Sequence, residues 1–171
     1  MRVNLGCGTA RLKDFINVDI VPNDAVDVVE GVVSYAAKLL PNTVDEFACF
    51  HFIEHIGRSQ HPSFLAHLAR TLKVGGVLLI SFPDFSVTSV YFLHNMRGQQ
   101  DFWEATVLGR GRDTYDLHSS LVTQDYLKKL LISVGFTIET ITYEPQPNEC
   151  NCIIKAVKTS VRKSYEELLG E

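Results

Sequence analysis

Apolar runs short enough for strands alternate with helix-length patterns from one end of this chain to the other, and no repeat, low-complexity tract or Pro/Gly-rich linker interrupts them. That alternation predicts a mostly parallel sheet with helices on its faces. Strands are expected at about residues 2–5, 16–20, 26–29, 45–50 and 77–82, with a final pair at about 136–143 and 151–157. The stretch EPQPNE between the last two is polar and carries no helix, as an antiparallel hairpin requires. A chain of 171 residues, 46% of them hydrophobic, can bury one full core, so one domain over 1–171 is expected.

The helices are marked by their ends. SYAAKLLP offers Ser34 as a cap and stops before Pro41. SQHPSFLAHLARTLKVGG places Pro62 near a first turn, carries Phe64, Leu65, Leu68 and Leu72 as one stripe, and closes at Gly75 and Gly76. TQDYLKKLLISVGF has Thr123 as cap, Leu127, Leu130, Leu131 and Val134 on one side, and Gly135 where a left-handed residue is wanted. Between Pro83 and Leu121 the pattern loosens: SVTSVYFLHNM and QQDFWEATVL each have helical character, and GRGRDTYDLHSSL has no clear period. This is too long for a plain connector. Its aromatics Tyr91, Phe92, Phe102, Trp103 and Tyr115 suit the wall of a ligand pocket or a subdomain core, so a substrate-facing insertion is expected at about 84–121.

The first strand runs into Gly6-Cys7-Gly8, a sequence that lets backbone approach a ligand closely. Dinucleotides and S-adenosylmethionine both use such a loop at the carboxyl end of a first parallel strand. Position 11 is Arg rather than a third glycine, and Asp19 follows Gly8 by only about eleven positions. A parallel connection usually takes a dozen residues or more, so the first helix must be reduced to about a turn or be absent. Without its dipole a pyrophosphate is poorly held, whereas the Asp19 carboxylate can still accept hydrogen bonds from two ribose hydroxyls.

In this order, VNLGCG, INVDI, LPNTVDEFACFHFIEHI, LARTLKVGGVLLISFPD and LLISVGF resemble the class I S-adenosylmethionine-dependent methyltransferases over nearly the whole chain. Within that class the chain resembles a compact branch of predicted methyltransferases with a shortened or missing first helix, whose members are often encoded among polysaccharide genes. The resemblance implies an α/β, Rossmann-like, mostly parallel seven-stranded sheet of order 3-2-1-4-5-7-6, strand seven antiparallel, flanked by helices. It implies S-adenosylmethionine as cofactor and S-adenosylhomocysteine as product. Gly6, Cys7 and Gly8 match the loop on the methionine part, Asp19 the acid on the ribose, and Ile20 the flank of the adenine. His51 and Phe52 match positions beside the methionine and the methyl group. Many relatives place an acid after strand three to read the adenine amino group; here VVEGVVS leaves Glu30 or the backbone near Gly31.

Methyl transfer from a sulfonium is an in-line displacement with a neutral leaving group, so alignment of donor and acceptor is the main requirement. A hydroxyl or protonated amine acceptor also needs a base within reach. The candidates are His118 with Asp116, Asp84, and Glu54 with His55. His118 and Asp116 are the choice for a catalytic pair, because they lie in the segment expected to face the acceptor and a nearby carboxylate raises imidazole basicity. Glu54 and His55 read as organising the turn after strand four, and Asp84 as a helix cap or pocket wall. His61, His67 and His94 read as satisfied surface or core residues. Arg110 and Arg112 of GRGR suit a phosphate or carboxylate on the acceptor, or a solvated loop.

The expected activity is therefore methyl transfer to a small-molecule or saccharide acceptor. The alternative is a non-catalytic sensor or partner subunit that binds the same cofactor. A formal charge of −4 with scattered Lys and Arg argues against nucleic acid. No apolar run approaches the roughly 18 to 20 residues of a membrane span and no signal peptide is seen, so a cytoplasmic protein is expected. Cys150 and Cys152 lack a second pair, which makes them structural and leaves no metal site expected. The tail KTSVRKSYEELLGE could form a short amphipathic helix docked on the domain or on a second copy in a homodimer.

Overall fold

A computed structural model describes residues 1–95, 105–112, 114–145 and 150–159. Phe102, Trp103, the connection 146–149 and the tail from 160 onward lie outside these residues, as do the side chains of Tyr91 and Cys150. The strands β1 (Arg2–Leu5), β2 (Ile16–Asp19), β3 (Val28–Val29), β4 (Val44–Phe50), β5 (Leu72–Pro83), β6 (Phe136–Pro145) and β7 (Cys150–Lys158) form one sheet in the order β3-β2-β1-β4-β5-β7-β6. The first five are parallel, and β7 runs antiparallel to both β5 and β6. Order and directions are those the resemblance implies. The helices are α1 (Val32–Lys38), α2 (His61–Thr71), α3 (Phe85–Asn95) and α4 (Gln124–Ser133), and residues 105–108 are also helical.

Strand alternation assigns the two faces. Val3, Leu5, Phe47, Cys49, Leu78, Ile80 and Ile154 point to one side and join Ala36, Phe64, Leu65, Leu68, Leu127 and Leu131 of α1, α2 and α4 in a single buried cluster. Each large side chain there contributes about 1.5–3 kcal/mol by leaving water. The register puts Arg2, Asn4, Glu46 and Lys155 on the opposite face, where Arg2 pairs with Glu46 at 2.8 Å and Lys155 with Glu139 at 2.7 Å.

Two helix ends differ from expectation. Helix α1 starts at Val32 with extended Gly31 as its cap, so Ser34 lies inside it. Helix α2 stops at Thr71, because Leu72 turns to extended backbone and pairs with Val44, which makes LKVGG the opening of β5. Gly75 at φ +80° accommodates the irregular register there. The cap of α4 is as read from the sequence: the Thr123 hydroxyl accepts from the Tyr126 N–H at 3.3 Å, and Gly135 takes φ +103°.

No helix stands between β1 and β2. The backbone groups of that crossover need other partners, and Asn17, fully buried on β2, supplies them. Its Nδ2 donates to the Leu12 carbonyl at 3.1 Å and the Phe15 carbonyl at 3.0 Å, while its Oδ1 accepts from the Leu12 N–H at 2.9 Å. Asn4, also buried, bonds Asn17 Oδ1 and the Ala10 carbonyl, each at 3.0 Å. Asp27 closes the network by accepting from the Asn17 N–H and Nδ2, both at 2.9 Å, and from Arg11 at 2.6 Å. The bonds from Asn17, then that from Arg11, hold the Asp27 carboxyl at about 2.

Asn17→Leu should lower the unfolding free energy in urea by at least about 2 kcal/mol, because it strands buried partners without water. The depressed Asp27 carboxyl gives a pH signature as well. Its contribution to stability is complete above its ordinary value of 3.8 and is lost as pH falls toward about 2. From pH 5 to 2 the urea midpoint of Asp27→Asn should therefore fall less steeply than that of the parent chain. Some slope remains because Asp45, held at about 2 by Lys73 and the N-terminal ammonium, titrates in the same window.

Candidate functional site

At the end of β1 the N–H groups of Gly6 and Cys7 both donate to the Val18 carbonyl, at 2.9 and 3.1 Å, which ties the loop to β2. Gly6 has φ +68°, and a Cβ there would lie 2.6 Å from the Phe52 ring. Only glycine allows that approach. Gly8 has φ +50° and open space where a Cβ would stand. Its N–H donates to Asp19 Oδ2 at 2.7 Å, while Asp19 Oδ1 accepts from the Val21 N–H at 2.9 Å. The carboxylate thus braces the loop, and each oxygen keeps a second lone pair. Asn23 adds a bond to the Gly8 carbonyl at 3.0 Å. Burial first, then the Asp19 charge, pushes the Cys7 thiol up to about 11, so it is protonated near neutral pH. Ile20 is 40% exposed next to Asp19. Glu30 is engaged by Lys38, and a Cβ on Gly31 would meet nothing within 4 Å.

The exit of β4 forms the second half. His51 takes φ +50°, a conformation that non-glycine residues adopt only when held, and its N–H bonds the Ser81 carbonyl at 3.0 Å. Phe52 follows, packed on Phe64 at 5.5 Å between ring centroids as well as on Gly6. A 3₁₀ turn, Ile53–His55, comes next. Its backbone gathers a distant segment: the Glu54 carbonyl accepts from Ser119 and Ser120 N–H at 2.8 and 3.1 Å. His55 Nδ1 lies 3.1 Å from the Leu117 carbonyl. Buried His61 braces the turn from behind, with Nε2 at 3.1 Å from both the Ile53 carbonyl and the Ser120 hydroxyl.

These contacts bring His118 against His55, ring edge to ring face, with centroids 4.9 Å apart. A cavity of about 260 Å³ opens here, lined by His51, Glu54, His55, Arg110, Asp116 and His118 among others. Burial lowers the His118 pKa, opposed mainly by Glu54. Asp116 is gripped by Arg112 through two guanidinium bonds of 2.9 and 2.8 Å and a backbone bond of 3.1 Å. That grip holds its carboxyl well below the usual range. Asp84 is buried at the start of α3, accepting from Ser86 N–H at 3.0 Å, Ser86 hydroxyl at 2.6 Å and Tyr143 hydroxyl at 2.9 Å. It caps a helix. The side chains of Glu54 and His55, read from the sequence as turn formers, also face the cavity; the signal for this was their place one 3₁₀ turn after His51.

Neither protein-family models nor curated proteins match the sequence. Solved structures match in fold. A SAM-dependent methyltransferase from Archaeoglobus fulgidus superposes with TM-score 0.66 at 15% identity, over 92% of this chain and 85% of that one. The 1,6-didemethyltoxoflavin-N1-methyltransferase of Burkholderia thailandensis, with S-adenosylhomocysteine bound, gives 0.66 at 17% identity over 93% and 71%. The magnesium protoporphyrin IX methyltransferase of Synechocystis, with S-adenosylmethionine bound, gives 0.59 at 14% over 93% and 70%. With its sheet order, its antiparallel β7 and these superpositions, the chain has the fold of the S-adenosylmethionine-dependent methyltransferases.

Proposed function

We propose that this chain is an S-adenosylmethionine-dependent methyltransferase acting on a small-molecule or saccharide acceptor. The observation that carries this reading is the contact of Gly6 with Phe52, which sets the glycine loop of β1 beside the 260 Å³ cavity that opens at the end of β4. Donor and acceptor positions are then neighbours at the carboxyl ends of adjacent parallel strands, where open α/β sheets bind ligands.

The residues present fit the cofactor. Asp19 spends one lone pair of each oxygen on the loop and has two left for two ribose hydroxyls. Gly8 and Gly31 leave backbone uncovered, and exposed Ile20 gives an apolar flank for the adenine. Gly6 and Cys7 carry the methionine part, with His51 and Phe52 beside it. When bound, the cofactor supplies an electrophilic methyl group on a sulfonium. His118 and Asp116 stand on the acceptor side; Asp116 acts through Arg112 as a positioning residue for the loop.

Thermal shift tests the reading cheaply: S-adenosylmethionine and S-adenosylhomocysteine should raise the melting temperature and NAD should not. A shift with NAD alone would overturn it. Asp19→Ala should weaken S-adenosylhomocysteine binding in isothermal titration by about 1.5–3 kcal/mol, or roughly 10- to 150-fold, while circular dichroism remains that of a folded protein. A folded Asp19→Ala chain that binds like the parent would place the cofactor elsewhere. Asp116→Ala should retain S-adenosylhomocysteine affinity and lose turnover, once a screen for S-adenosylhomocysteine release has identified an acceptor.

A further inference from the structure

We infer that Glu54, His55 and His118 form a binding site for a divalent transition-metal ion in the wall of the acceptor cavity. Each offers one ligand atom, and these atoms lie within 4.8 Å of one another. An ion bonded at about 2.1 Å to each needs its ligands roughly 3.4 Å apart, a spacing that small side-chain rotations reach.

The carboxylate is the strongest evidence. Glu54 is 2% exposed, and among the described residues neither of its side-chain oxygens accepts a hydrogen bond. Buried carboxylates are otherwise paired, hydrogen-bonded or bound to metal. Among the described residues His51 competes for this carboxylate: its Nδ1 is 3.3 Å from Glu54 Oε1, without hydrogen-bonding geometry. That ring is 44% exposed and balances the charge only when protonated.

The two imidazoles are prepared for the role. A carbonyl can only accept, so the bond to Leu117 puts the proton of His55 on Nδ1 and leaves the Nε2 lone pair for a ligand. His118 stands against His55 ring edge to ring face, with centroids 4.9 Å apart, so the two imidazoles meet at the same point of the wall. The opposing charges are limited: Arg112 is neutralised by Asp116, and Arg110 is exposed at the rim. Two imidazoles and one carboxylate suit Zn²⁺, Mn²⁺, Fe²⁺ or Co²⁺ better than Mg²⁺ or Ca²⁺, which favour all-oxygen shells. Three protein ligands leave a coordination position open to the cavity, where an acceptor oxygen can bind and be polarised. That role for the acceptor rests on the proposed methyl transfer, whereas the ion site does not.

The test is a Co²⁺ titration of the chelator-treated full chain, followed by visible absorption, with S-adenosylhomocysteine calorimetry run in parallel. One equivalent should bind with the bands of nitrogen and oxygen ligation and be displaced by Zn²⁺. Glu54→Gln and His118→Gln should weaken Co²⁺ by at least about 10- to 100-fold, whereas His51→Ala should stay within about twofold of the parent. Circular dichroism checks each variant; if His118→Gln does not fold, the isosteric Glu54→Gln decides. No saturable Co²⁺ binding below about 100 μM, undiminished affinity in folded Glu54→Gln, or loss of binding in His51→Ala overturns the site. S-adenosylhomocysteine binding that fails while Co²⁺ binds removes the methyltransferase reading and leaves the metal site standing; the reverse result removes only the metal.

Discussion

Asn17 is the residue on which the amino-terminal half of the sheet depends. A parallel pair of strands is normally joined by a helix that satisfies its own backbone, and this chain has only residues 6–15 in which to return. Asn17 does from the side what a helix would do internally, holding Leu12 and Phe15, and Asp27 and Asn4 hold Asn17. The same β2 strand then ends in Asp19, whose carboxylate fixes Gly8. Loop conformation, strand pairing and the candidate ribose contact are thus consequences of one short strand, INVD, rather than of a helix dipole.

The second half of the site depends on a comparably economical device. One 3₁₀ turn after His51 uses its backbone to hold Ser119 and Ser120 and its side chains to line the cavity. Because Phe52 precedes that turn and touches Gly6, the glycine loop and the cavity wall share a rigid neighbour. Buried His61 secures the arrangement from the core side, which accounts for a histidine on the apolar stripe of α2.

Much of the fold was legible because it depends on local signals. Apolar runs gave the strands, Thr123 and Gly135 gave the ends of α4, and the spacing from Gly8 to Asp19 announced a crossover without a full helix. What stayed hidden depends on partners distant in sequence. Asn17 reads as an ordinary polar residue in a strand until Asp27 and Leu12 close around it. LKVGG reads as the end of a helix until Leu72 finds Val44. Asp116 and His118, two apart in sequence, read as a pair, and the fork of donors that Arg112 offers the Asp116 carboxylate carries no sequence signal of its own. The candidate cofactor residues were legible as a motif, since glycines and a strand-end acid announce themselves; the bracing role of Asp19 was not.

The two margins of the sheet have a consequence for association between copies. An open sheet exposes unpaired N–H and C=O groups at its outermost strands, and these can recruit a further strand from another molecule. At one margin β3 is only Val28–Val29, too short to template such pairing. At the other, β6 is interrupted by a register shift between Ile138 and Thr140, carries Glu139 on the bulge and ends at Pro145, which has no N–H to donate. Among the described residues both margins are therefore poor templates for an added strand, and the sheet is guarded against edge-to-edge pairing at each end.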